Sequence, residues 1–86
     1  MNASIIIADD HPLILKGLND FLLEKQYNVV ASAVNGKEAL QRIEELNPDI
    51  AILDIQMPFM SGLEIARKCN NNGIETKIIL ITFHKE

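Results

Sequence analysis

Four short apolar runs alternate along the chain with longer segments whose apolar residues recur every three or four positions. SIIIA at 4–8, NVVASAV at 28–34, DIAILD at 49–54 and KIILIT at 77–82 read as strands. Leu15, Leu18, Phe21, Leu22 and Lys25 lie at helical spacing, with the apolar members expected to face the sheet. Ala39, Leu40, Ile43 and Leu46 form a second inward stripe, and Ile65, Ala66 and Cys69 a third. The punctuation agrees with these boundaries. Pro12 suits a first helical position, because its fixed φ is already helical and its missing N–H is not needed there. Asn35 with Glu38, and Ser61 with Glu64, have the spacing of an N-cap and its reciprocal acid. Pro48 stops the second helix, and CNNNG at 69–73 ends the third. Strand and helix in alternation predict an α/β domain built on a mostly parallel sheet. KIILIT, apolar almost throughout, has the character of a strand covered on both faces.

Parallel strands joined by right-handed crossovers present their C-terminal ends along one edge, where open α/β sheets bind ligands. Asp9 and Asp10 close the first strand, Asp54 the third and Thr82 the fourth. Setting strand one beside strand three puts strand two on the far side, giving the order 2-1-3-4 with the winding reversed at the carboxylates. Adjacent acids after a buried strand do not serve stability. At ~4 Å and an effective dielectric near 20, two carboxylates repel by about 4 kcal/mol. Three acids that close call for a cation among them or a proton on one. An all-oxygen, water-accessible set suits Mg²⁺. Zinc fits poorly on this reading, with Cys69 and both histidines, His11 and His84, expected outside the cluster. His11 is expected to cap or border the first helix, Met57 and Met60 to pack, and Cys69 to be a small core residue.

Composition narrows the class. With 86 residues, 48% hydrophobic and 23% charged, the chain fits one small domain. Such a domain buries only about 60–65% of its unfolded surface, so modest stability is expected. A net charge of −4 with interspersed signs leaves no basic face for a phosphate backbone, which argues against direct nucleic-acid binding. One cysteine cannot form an internal disulfide. The N-terminal apolar run is too short for a signal peptide or a membrane span and lacks a basic leader, so a cytoplasmic location is expected.

IIIADDHP, LDIQMPFMSG and IILIT, in this order and spacing, resemble the receiver domain of bacterial two-component response regulators. The elements shared are an acidic pair, an aspartate 44 residues after Asp10, Met-Pro at three and four beyond it, Gly at eight beyond, and a threonine closing the next strand. DDHP followed by LILKGL is similar to the subgroup whose receivers precede a LuxR-type helix-turn-helix domain. The resemblance implies a flavodoxin-like open sheet and a regulatory phosphoacceptor rather than an enzyme. It makes Asp54 the acceptor of a phosphoryl group from a sensor histidine kinase, Asp10 a direct Mg²⁺ ligand and Asp9 the holder of a metal-bound water. Gln56 would offer its backbone carbonyl to the ion, and Thr82 would hydrogen-bond the phosphoryl group. Phosphohydrolases working through a phosphoaspartate carry an acid two residues beyond the nucleophile, where this chain has Gln56.

Against the receiver pattern, residues 1–86 read as a partial receiver domain truncated after the fourth strand, without the family's final helix, strand and helix. The family's lysine has no counterpart, since Lys85 lies only three residues past Thr82. The fourth strand would then be an exposed edge, which predicts a homo-oligomer through strand four or by element exchange. An inert interaction module is the competing reading. DNA-binding transcription regulation would act only through an output domain outside this chain.

Overall fold

A computed structural model describes residues 3–82. Seven elements follow one another: β1 (Ser4–Ala8), α1 (Pro12–Glu24), β2 (Asn28–Ala33), α2 (Gly36–Leu46), β3 (Ile50–Asp54), α3 (Gly62–Asn71) and β4 (Lys77–Ile81). The strands form one parallel sheet in the order β2-β1-β3-β4, as the strand-end argument requires. His84, Lys85 and Glu86 lie outside the described residues.

Alternation along β1 builds two cores. Ile5 and Ile7 pack with Leu22 of α1 on one face, flanked by Leu15, Leu18, Val29, Ile50 and Ile52. Ile6 and Ala8 point the other way, into a larger cluster with Ala39 and Ile43 of α2, Ile65 and Cys69 of α3, and Ala51 and Leu53 of β3. Successive side chains of a strand face opposite sides, so an apolar strand such as β1 needs helices on both. Asp49 fastens the N-terminal edge. Its Oδ2 accepts from the Ser4 N–H at 2.8 Å, and its own N–H donates to Ser4 Oγ at 3.0 Å.

Helix boundaries follow the local chemistry. Pro12 opens α1. At α2 the Asn35 side chain accepts from the Glu38 N–H at 2.8 Å. At α3 the full reciprocal box forms between Ser61 and Glu64.

Several expected positions shift. β2 ends at Ala33, leaving Val34 half exposed; β3 begins at Ile50; and Thr82 falls just past β4. Phe21 is 54% exposed instead of facing the sheet, with Lys25 Nζ 5.7 Å from its ring centroid. At about 100° per residue it sits some 90° off the centre of the Leu15, Leu18, Leu22 stripe, beyond the reach of the sheet. Leu46, the last residue of α2, is also half exposed, while Pro48 is buried. β4 is covered less fully than its composition suggested, with Ile79 exposed at the sheet edge. Cys69 is buried in the core, and burial, helped by the negative charge of Glu44, pushes its thiol pKa up, as befits an unreactive packing residue.

Candidate metal and phosphoacceptor site

β1 and β3 are neighbours in register, with Ala8 opposite Leu53, so the residues that follow, Asp9 and Asp54, reach the C-terminal edge side by side. Both are essentially buried, Asp9 fully and Asp54 with 1% exposure. Asp10 is partly exposed. One ligand atom from each of Asp9, Asp10, His11 and Asp54 lies within 4.8 Å of the others. Removing two carboxylates from water beside a third is costly unless positive charge or hydrogen-bond donors answer them.

Backbone donors supply part of that answer. The Asp9 Oδ1 accepts from the His11 N–H at 2.8 Å, which closes the turn from β1 into α1. The Gln56 N–H reaches Asp54 Oδ1 at 3.4 Å. The loop after Asp54 is drawn tight from three sides. Ile55 N–H donates to Ile81 at 3.0 Å, Gly62 N–H to Ile55 at 2.9 Å, and Gly36 N–H to Pro58 at 3.1 Å. A Cβ on Gly62 would stand 2.6 Å from the Asp54 carbonyl oxygen, so only glycine allows α3 to start this close to the acid. Met57 and Met60 pack against the larger core, as expected of flexible apolar fillers.

The expected residues fare differently. Asp9, Asp10 and Asp54 come together. Thr82 is exposed and follows Ile81, the β4 partner of Asp54, which places it on the same sheet edge. Gln56 is exposed on the loop, tied to Asp54 through its N–H.

The placement of His11 is a correction. Its Nδ1 lies 3.0 Å from Asp10 Oδ1 and 3.3 Å from Asp9 Oδ1, inside the cluster rather than outside it. Although His11 is the N-cap residue of α1, its side chain makes no cap hydrogen bond. The signal was present in Pro12, which disfavours the helical region for the residue before it. His11 accordingly has φ −100° and ψ 112°, and its ring is directed away from the helix onto the acids.

A parallel sheet covered on both faces, with its acids gathered at the C-terminal edge, defines the class as an open-sheet α/β domain whose polar edge is its binding edge. The chain belongs to the response regulator receiver domain family, whose model matches residues 5–86. It is 40% identical over 79 residues to the transcriptional regulatory protein YvfU of Bacillus subtilis, covering 91% of this chain and 40% of that protein. Among solved structures, the receiver domain of the response regulator NarL from Mycobacterium tuberculosis superposes with a TM-score of 0.91 at 36% identity, covering 99% of this chain and 69% of that one. A LuxR-family DNA-binding response regulator from Staphylococcus aureus matches with a TM-score of 0.88 at 34% identity, covering 98% and 71%. The chain thus spans about 40% of the length of YvfU. It is a receiver of two-component signalling, a family that is regulatory rather than catalytic. Among the described residues no helix is long and apolar enough to cross a membrane.

Proposed function

We propose that Asp54 accepts a phosphoryl group from a sensor histidine kinase, in a reaction that depends on Mg²⁺ held beside it. The observation that carries this is the burial of Asp54 at the end of β3, with oxygens of Asp9 and Asp10 within 4.8 Å. Three carboxylates offer the hard oxygen donors that Mg²⁺ takes, in a span small enough for one ion with its waters, so the donor set fits. Asp9, Asp10 and Asp54 would hold it, with the Gln56 carbonyl as a further ligand. Bound there, Mg²⁺ neutralises charge on the incoming phosphoryl oxygens.

The chain's own groups do the remainder. An Asp54 carboxylate oxygen attacks phosphorus; the new P–O bond forms as the P–N bond to the kinase histidine breaks, and the electron pair leaves on the imidazole nitrogen. Thr82 donates its hydroxyl to a phosphoryl oxygen and moves to do so. Gln56 has no proton to give a leaving group, which speaks against a hydrolase.

A DNA-binding output domain acting in transcription completes the proposed protein, a reading supported by the transcriptional and LuxR-family relatives. The proposed location is the cytoplasm. In the full-length protein, acetyl phosphate with Mg²⁺ is expected to add one phosphoryl group by mass, and Asp54→Asn to abolish the gain. Equal labelling of the variant would refute the assignment.

A further inference from the structure

We propose that His11 is a fourth ligand of the ion site and makes it prefer a divalent transition-metal cation, such as Co²⁺ or Ni²⁺, over Mg²⁺; this rests on the reading of Asp9, Asp10 and Asp54 as an ion site. The geometry carries it. Ligand atoms at adjacent corners of an octahedron with bonds of about 2.1 Å stand about 3.0 Å apart. His11 Nδ1 lies 3.0 Å from Asp10 Oδ1 and 3.3 Å from Asp9 Oδ1, the separations of neighbouring ligands on one such ion. The ring is already held there by the turn. His11 is fixed in an extended conformation by Pro12, and its N–H is engaged by Asp9, so little freedom is left to lose when an ion arrives. The tautomer with its proton on Nε2 presents the Nδ1 lone pair to the metal.

The chemistry decides the preference. Mg²⁺ is a hard ion that takes oxygen ligands, whereas imidazole suits the later first-row metals, whose affinities for a mixed nitrogen and oxygen site rise from Mn²⁺ through Co²⁺ to Ni²⁺. Replacing one water by an imidazole therefore strengthens Co²⁺ binding and leaves Mg²⁺ almost unaffected. With 46% of its side chain exposed and no helix-cap bond, His11 can be substituted with little disturbance to the fold.

The test is calorimetric titration of Co²⁺ and of Mg²⁺ into the purified full-length protein and its His11→Ala variant, with proton NMR of the Co²⁺ form. The expected result is a loss of at least ten-fold in Co²⁺ affinity in the variant with Mg²⁺ changed less than three-fold. A hyperfine-shifted exchangeable imidazole N–H signal should be present in the parent and missing from the variant. Unchanged or tighter Co²⁺ binding in the variant, or an equal loss for both ions, overturns the role of His11 and leaves the carboxylate site standing. Binding of neither ion to the parent overturns the carboxylate site and the inference together.

Discussion

At the scale of single residues, the site depends on close approach as much as on charge. Gly62 shows this: the Cβ of an alanine would meet the Asp54 carbonyl oxygen at 2.6 Å and Leu80 Cδ2 at 2.9 Å. Backbone cannot yield as a flexible side-chain end can, so Gly62→Ala is expected to cost about 1–3 kcal/mol in urea unfolding. Because the clash falls on Asp54 itself, phosphoryl labelling should drop further than the unfolded fraction explains. A variant as stable and as well labelled as the parent would show that α3 can shift away without loss. The acids and the acceptor were legible from strand ends in the sequence, because residues that close parallel strands must share an edge. The ring of His11 was not, since its direction depends on the dihedrals of one turn.

At the scale of elements, two glycines separate propensity from conformation. Gly17 lies within α1 and Gly73 follows α3 at φ +68°, and neither has another atom within 4 Å of where a Cβ would stand. The same substitution should therefore act with opposite sign. Gly17→Ala is expected to stabilise by about 0.5–1 kcal/mol, since alanine loses less backbone entropy in a helix. Gly73→Ala should destabilise by about 1 kcal/mol, because an L side chain resists the left-handed conformation that ends the helix. Thermal or urea unfolding of both checks the pair; a shared sign would sink the argument. Gln26 occupies the equivalent place after α1 at φ 66°, so a left-handed terminus was not readable there from glycine alone.

β2 gives a different lesson at the same scale. The register slips between Ile5 and Ile6, so Val29 pairs with Ile5 but Ala31 with Ile6. The extra residue, Val30, reverses the alternation: Val29 packs with the α1 core and Ala31 with the opposite one. NVVASAV reads equally well as an unbroken strand. Nothing local in it marks a bulge, because a bulge is a property of the pair of strands.

For the whole molecule, β4 is the outer strand of the described sheet, paired on one side to β3 only, and Ile79 on it is 38% exposed. An open strand edge with apolar side chains is a template for pairing with another chain. We propose self-association of the 86-residue chain through this edge. Light scattering is expected to show a concentration-dependent dimer that Ile79→Lys shifts toward monomer. A monomer at all concentrations would remove β4 as a partner surface.

Periodicity, caps and strand-end chemistry determined the α/β class, the order 2-1-3-4 and the meeting of Asp9, Asp10 and Asp54, because each follows from local spacing plus the handedness of parallel crossovers. Tertiary structure alone decided the ring of His11 upon the acids, the bulge in β2 and the exposure of Phe21. Those depend on turn dihedrals, on the partner strand and on how far the sheet extends beneath a helix, none of which is encoded within one short stretch of chain.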